Sequence, residues 1–154
     1  MSILTRATGQ TTDPAARRKP GWRTATVALS AIVLAGLIPV LEANDSHLFN
    51  PEWPAHARLH QAWQLLTNSA LALVALWLAM VRGHERLAAG LSLVVVGALV
   101  VAWGLSGIYG GEIARPGGDG PQVFGLSLPA MIMSILAIAL LAAVWPETRT
   151  RMRQ

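Results

Sequence analysis

This sequence lacks cysteine and has few charged residues. The absence of cysteine excludes disulfides and thiolate chemistry, and it leaves the redox compartment undetermined. Charged residues make up 13% of the 154 residues, whereas a soluble domain of this size carries about 25%. Hydrophobic residues account for 53% of the chain, and tyrosine occurs once. This composition indicates a protein that resides in an apolar solvent rather than in water.

The few charges leave four long segments without Asp, Glu, Lys or Arg. Each segment holds 18–27 residues, and they lie between Arg23 and Glu42, Arg58 and Arg82, Arg86 and Glu112, and Asp119 and Glu147. About 20 residues are needed to cross the hydrocarbon core, and in lipid each backbone polar group must pair within its own segment. The sequence therefore predicts an all-α integral membrane protein, a single-domain four-helix bundle with spans at about 22–41, 55–81, 87–109 and 123–145.

The basic residues are distributed unevenly around these spans. Ten of the twelve lie before the first span, between the second and third, or after the fourth; only Arg58 and Arg115 lie on the other side. By the positive-inside rule we expect both termini to be cytoplasmic. The membrane is expected to be the inner membrane of a bacterial-type cell. The net charge of +4 is thus assigned to topology and anionic lipid, and nucleic acid is not expected as a partner. Residues 1–21 are predicted to be a disordered tail and residues 147–154 a basic one.

Prolines bear on where the predicted spans begin and bend. Gly36 and Pro39 near the outer end of the first span predict a kink or an early stop. Asn50 followed by Pro51 has the pattern of a helix N-cap and a first helical residue, while Pro54 offers a second start for span two. The loop "GGEIARPGGDGPQ" after span three is predicted to form a cap or lid over the outer end.

Polar residues gather at the outer end of span two. The stretch "NPEWPAHARLHQAWQLL" places Glu52, His56 and His60 at steps of four residues, so they share a helix face if the helix reaches Glu52. Continuing inward, the stripe meets Gln64 and then Asn68. A polar stripe is costly to leave in lipid, so we expect it to face the bundle interior, a subunit interface or a water-filled cavity.

The two histidines fit two kinds of metal chemistry. A pair at positions i and i+4 can share zinc or iron with a carboxylate completing the set. A single neutral imidazole at membrane depth can instead be an axial haem ligand. The spacing of His56 and His60 does not choose between these. His47 and His84 lie in predicted loops, where we expect them to be solvated.

Further candidates lie at the outer end of span three, on the same side of the membrane. Tyr109 is either an interfacial anchor or a hydrogen-bond donor to a substrate oxygen. Glu112 either pairs with Arg115 in the loop or is a carboxylate of the site. For Gln64 and Thr67 we favour a role in hydrogen bonds between helices.

Two short motifs resemble those of the styrene oxide isomerase family, small four-span bacterial membrane enzymes. Ala57-Arg58-Leu59-His60 is similar to the Ala-Arg-x-His at the start of span two in that family. The segment "WGLSGIY", from Trp103 to Tyr109, is similar to a family motif in span three. The family's asparagine about six residues after the histidine falls here at Leu66, and Asn68 is the nearest candidate for that role.

The resemblance implies a haem b with His60 as the axial ligand, a homotrimer with haem near the subunit contacts, and Tyr109 orienting the substrate. The implied reaction opens an epoxide with iron as a Lewis acid and yields an aldehyde. The first hypothesis is therefore a haem-dependent isomerase acting on a lipophilic epoxide or a related oxygenated molecule. Its candidate cofactor-binding residues are His56, Arg58 and His60, with His60 as the metal ligand, and its candidate catalytic residues are Tyr109, Asn68 and Glu112.

Two other hypotheses stay open. One is a cofactor-free isomerase or cyclase of the sterol-isomerase kind, in which Glu112 or Glu52 protonates the substrate and Trp63 or Trp103 stabilises a cation. The other is a small membrane subunit without enzymatic activity, whose polar stripe docks a partner or assembles an oligomer.

Overall fold

The computed structural model describes residues 20–111, 122–123 and 126–146. Helices make up 77% of it, so the chain is mostly helical. The helices are α1 (Trp22–Ile32), α2 (Ile38–Glu42), α3 (Ala55–Met80), α4 (Glu85–Gly104), α5 (Ser106–Tyr109) and α6 (Leu128–Val144). The strands β1 (Gln122–Val123) and β2 (Leu126–Ser127) pair antiparallel. Most of both predicted tails, and the predicted loop with Glu112 and Arg115, lie outside the described residues.

Three helical stretches of the described chain have the length and apolar character to cross a membrane. They are Trp22–Glu42, Ala55–Met80 and Glu85–Gly104, with mean hydropathies of 2.2, 1.4 and 2.2. The helix at the fourth predicted span, α6, is apolar but has only 17 residues. At about 1.5 Å per residue it extends about 25 Å, somewhat less than the ~30 Å hydrocarbon core.

Pro39 changes the geometry of the first span without ending it. A π-helical segment, Val33–Leu37, joins α1 to α2, and Pro39 lies in the first turn of α2. Proline has no N–H to offer the carbonyl four residues earlier, and its ring pushes against that carbonyl. The wider π turn accommodates this conflict. The predicted disturbance is therefore present as a π segment, and the helix continues to Glu42.

Span two begins later than the Asn50–Pro51 pattern predicts. The helix starts at Ala55 with Pro54 at the N-cap, the second of the two predicted starts. Asn50 caps a turn instead: its Oδ1 accepts from the backbone N–H of Glu52 at 2.9 Å. Glu52 therefore lies outside α3, and the predicted helical stripe loses its first member.

The bounds of the third and fourth predicted spans also change. α4 ends at Gly104, and Leu105 separates it from the short α5. α6 begins at Leu128 rather than near 123, because β1 and β2 occupy the preceding residues. The Ser127 hydroxyl accepts from the Ala130 N–H at 3.3 Å and caps this helix. Pro129 thus lies in the first turn, where its missing N–H leaves no bond unmade.

The helices pack with α1 and α4 at the centre. Both contact α3 on one side and α6 on the other, and within the described residues α3 and α6 touch each other at most marginally. Small residues allow the helices to approach closely, as is usual in membrane bundles. Those buried on α3 and α4 are Ala72, Ala75, Ala79, Ala88, Ala89 and Ser92.

The bundle has two chemically different ends. We call the end where α1 begins and α6 ends the arginine end, and the opposite end, where α3 begins, the histidine end. At the arginine end, Arg23 donates from Nε to Ala143 O at 2.9 Å and from Nη2 to Trp145 O at 3.1 Å. Arg86 donates from Nε to Val144 O at 3.2 Å. These cations satisfy the last carbonyls of α6, where the helix dipole is negative.

Candidate functional site

His56 and His60 lie one turn apart on the outward face of α3, at the histidine end. Their Nε2 atoms are 3.0 Å apart, and their rings meet edge to face with centroids 4.4 Å apart. Because one imidazole nitrogen must donate and the other accept, one Nε2–H points to the lone pair of its neighbour. Both side chains are exposed, and the Trp63 ring lies 5.9 Å from that of His60. The first turns of α3 thus present two nitrogens at one point outside the bundle.

The predicted polar stripe does not run straight along α3. Each step of four residues turns about 40° around the helix axis, so the stripe drifts by about 120° from its first helical member to its last. His56, His60 and Gln64 are exposed, whereas Asn68 is half-buried and lies beside the buried Leu65. The two histidines therefore do not face the bundle interior. The structure does not bring Asn68 onto their face.

The other predicted members of the site are separate from the histidine pair. Glu52 is exposed in the turn before α3, and Arg58 is half-buried on α3. Across residues 20–111 and the described parts of 122–146, no group of three or more His, Cys, Asp or Glu converges as a metal site. The carboxylate that would complete a two-histidine metal site is thus not found among these residues.

Tyr109 lies in α5, also at the histidine end, with its side chain exposed. Its hydroxyl donates to the Ala102 carbonyl at 2.6 Å. Its ring lies directly against Gly111, where an added Cβ would overlap the ring. Because a phenol has one proton, the hydroxyl must give up Ala102 in order to donate to a substrate, although its oxygen can still accept. Glu112, the neighbouring candidate, is outside the described residues.

A second polar cluster, around Glu42, is absent from the sequence predictions. Gln61 on α3 donates from Nε2 to Glu42 Oε2 at 3.1 Å. The Nε2 atom of His47 lies 3.6 Å from the same oxygen, and its Nδ1 lies 2.8 Å from Ser46 Oγ. His47 is therefore a half-buried partner of Glu42 and not a solvated loop residue. The cluster ties the end of α2 and the following loop to α3.

One signal in the sequence points to this cluster. Gln61 precedes Leu65 by four residues and Asn68 by seven, which places all three on one helix face. That face is apolar further along, at Ala72 and Ala79. A glutamine on a core-facing stripe requires a partner from another element, and Glu42 is that partner.

Comparison of the chain with protein-family models, with curated proteins and with solved structures finds no match. The resemblance to styrene oxide isomerases therefore rests on the two motifs. The residues of these motifs that could take part in a reaction are His60 and Tyr109, and both are exposed at the histidine end. His60 is hydrogen-bonded to His56, and Tyr109 is hydrogen-bonded to the carbonyl of Ala102.

Proposed function

We propose that this protein is a haem-dependent membrane isomerase that rearranges a lipophilic epoxide, or a related oxygenated small molecule, to a carbonyl compound. The observation that carries this proposal is the position of His60. Its imidazole is exposed near the end of a membrane-length helix, and Nε2 meets only the imidazole of His56 among the described residues. A histidine that is to hold haem iron would need an accessible imidazole nitrogen of this kind.

The surroundings of His60 fit a flat, apolar group. Leu59, Trp63 and Leu66 are 65%, 64% and 73% exposed on the outward half of α3, and such side chains can pack against a macrocycle. The far side of the group would be covered by lipid or by a second copy of the chain. A second copy agrees with the homotrimer that the resemblance implies.

His56 is proposed to position His60. For His60 to bind iron through Nε2, its own proton must reside on Nδ1. Donation from His56 Nε2 across the 3.0 Å contact favours that tautomer in the cofactor-free chain. The contact would open on cofactor binding. His56→Ala should therefore weaken cofactor binding without abolishing it.

The remaining residues act on the substrate. The bound haem would supply an iron that polarises the epoxide oxygen as a Lewis acid, without redox turnover. Tyr109 would exchange Ala102 O for the substrate oxygen, and the apolar surroundings would keep water from a cation-like transition state. Asn68, turned about 80° from His60 around α3, would contact a more inward part of the substrate. Glu112 stays a candidate outside the described residues.

The proposal includes a four-span topology with both termini cytoplasmic. It is supported by the apolar α6 and by the arrangement of tryptophans. Trp22 at the start of α1 and Trp145 at the end of α6 are 53% and 68% exposed, as expected for an aromatic belt at the membrane surface. In this topology the histidine end faces away from the cytoplasm.

The first test is an absorption spectrum of the detergent-purified protein, oxidised and dithionite-reduced, with metal content determined on the same sample. We expect a Soret band that His60→Ala abolishes together with the isomerase activity, and that His56→Ala weakens. His84→Ala is the matched control, because His84 is an exposed histidine in the loop at the other end. Colourless, metal-free protein from cells grown with ample haem would refute the proposal.

A second candidate function is favoured by the exposure of the α3 face that carries His60. His56, His60, Gln64 and Thr67 are all exposed on the single chain, and polar side chains at membrane depth need partners. In a non-enzymatic membrane subunit this face would dock another protein. His60→Ala would then change the mass of the purified complex, and the protein would have neither pigment nor isomerase activity.

A further inference from the structure

The polar cluster around Glu42 contains an imidazole with a polar contact at each of its nitrogens. The Nδ1 atom of His47 lies 2.8 Å from Ser46 Oγ and 3.4 Å from Asn44 Oδ1. Its Nε2 atom lies 3.6 Å from Glu42 Oε2. A neutral imidazole carries one proton, so only one of its two nitrogens can donate. The protons of the neighbouring groups therefore decide whether the ring is neutral or charged.

The Asn44 side chain fixes the protons on the Nδ1 side of the ring. Its Nδ2 donates to the Leu41 carbonyl at 2.5 Å, and its Oδ1 accepts from the backbone N–H of Ser46 at 2.9 Å. The Oγ atom of Ser46 lies 2.6 Å from the same Oδ1. Because an amide oxygen only accepts, the Ser46 hydroxyl must donate to it. This hydroxyl has one proton, so its contact with His47 is a hydrogen bond only if Nδ1 carries a proton.

The other nitrogen of the ring faces a carboxylate. If Nδ1 holds the single proton of a neutral ring, the lone pair of Nε2 points towards Glu42 Oε2 and is repelled, whereas a second proton on Nε2 makes the contact attractive. Glu42 is the last residue of α2, where the helix dipole is negative and a carboxylate needs a nearby positive charge. The side chains of His47 and Glu42 are only 19% and 28% exposed, so solvent screens the pair less than it would on an open surface.

Glu42 is the charged group that a proton on His47 affects most directly. The other ionisable side chains of this loop and of the first two turns of α3 are those of Asp45, Glu52, His56, Arg58 and His60. Within the described chain, none of them forms an ion pair or a hydrogen bond with His47. Both nitrogens of the ring are thus satisfied by one arrangement, in which His47 is an imidazolium and Glu42 is its counter-ion.

We propose that Glu42 and His47 form a proton-binding pair that makes the joint between α2 and α3 sensitive to pH. With the proton bound, the imidazolium holds the Ser46 hydroxyl and the Glu42 carboxylate, and Glu42 holds Gln61 on α3. Without it, the ring either presents a lone pair to Glu42 or draws the Ser46 hydroxyl away from Asn44. Both changes loosen the loop that follows α2.

The direction of the pH response follows from the charge of the imidazole. Histidine changes charge between about pH 5 and pH 8. The loop is therefore held on the acidic side of this range and released on the alkaline side. The pair shares no residue with the haem proposal, so each of the two can fail without the other.

The test is hydrogen–deuterium exchange of the full-length, detergent-purified protein at pH 5.5 and pH 8.5, read by mass spectrometry on peptides that contain residues 44–50. Variants are compared with the wild type at the same pH, which cancels the intrinsic pH dependence of exchange. His47→Gln should accelerate exchange about threefold at pH 5.5, within the range expected for an ion pair, and less than about 1.5-fold at pH 8.5. His84→Gln is the matched control and should leave these peptides unchanged at both pH values, because His84 is an exposed histidine at the arginine end.

A second variant tests the carboxylate. Glu42→Gln removes the charge and keeps an oxygen that accepts from Gln61, and it should reproduce the effect of His47→Gln at both pH values. The double variant should exchange no faster at pH 5.5 than the faster of the two single variants, because both remove the same interaction. If His47→Gln gives no folded protein, Glu42→Gln and the wild type carry the same comparison.

Three outcomes would overturn the proposal. Equal acceleration by His47→Gln at the two pH values would assign the ring a packing role, through its edge contact with Trp53 at 6.2 Å. Effects of His47→Gln and Glu42→Gln that multiply in the double variant would show that the two side chains act separately. Acceleration by His84→Gln equal to that by His47→Gln would show a general response to histidine charge.

Discussion

A buried hydrogen bond between α1 and α4 allows a quantitative test of how the bundle is held together. The Oγ atoms of Ser30 and Ser92 are 3.0 Å apart, with the two residues 0% and 1% exposed. Ser30 Oγ also lies 2.8 Å from the Val27 carbonyl oxygen. Each hydroxyl has one proton, so both contacts are made only if Ser92 donates to Ser30 and Ser30 donates to Val27 O.

This arrangement predicts unequal costs for the two alanine variants. Ser92→Ala leaves the Ser30 hydroxyl bonded to Val27 O, so only the bond between the helices is lost. Ser30→Ala leaves the Ser92 hydroxyl to turn back to a carbonyl of its own helix, which restores part of its bonding. Hydrogen bonds between membrane helices contribute about 0.6 kcal/mol on average and up to about 1.7 kcal/mol. We expect a coupling energy in that range and a larger cost for Ser30→Ala than for Ser92→Ala.

The assay is a double-mutant cycle on reversible unfolding in mixed micelles. Ser134→Ala is the control, because Ser134 is half-buried on α6 and its hydroxyl has no hydrogen bond among the described residues. A coupling energy of zero, with the two single costs simply adding, would refute the hydrogen bond. A larger cost for Ser92→Ala would refute the assignment of donor and acceptor.

Two further predictions concern packing and topology. Ala75→Leu should destabilise the bundle by about 1–3 kcal/mol, because Ala75 is fully buried and the larger side chain overpacks the interface. The control is Ala70→Leu at an exposed position of the same helix, which should cost less than about 0.5 kcal/mol. Equal costs for the two variants would contradict this packing. In the cysteine-free chain, a membrane-impermeant maleimide should label Asp45→Cys in intact spheroplasts and His84→Cys only after permeabilisation, and the reverse pattern would invert the proposed topology.

The helical character of the chain and the approximate positions of its long apolar helices could be predicted from composition and charge spacing. The reason is that a segment in lipid has to satisfy its backbone internally, so length and the absence of charge suffice. Element ends were harder to predict, because they depend on local competition. Asn50 and Pro54 each offered a helix start, and the Asn50 side chain bonded within its own turn instead.

The candidate site, too, could be predicted from the sequence only in part. The pairing of His56 with His60 follows from spacing of four residues, a local property of any helix. Whether that face of α3 turns inward could not be read from spacing, because a polar stripe at i+4 steps drifts around the helix and tertiary packing decides which part is covered. Asn68 is half-buried, whereas both histidines are exposed.

The sequence by itself determined a mostly helical chain with long apolar helices, and it brought together the residues that are near neighbours along one helix. Only the tertiary structure decided the contacts between distant segments, because these depend on how whole helices pack. Glu42 with Gln61, Ser30 with Ser92, and Arg86 with the end of α6 are 19, 62 and 58 residues apart. No local period encodes such pairs, and each exists because packing of the apolar faces placed two polar groups within hydrogen-bond distance.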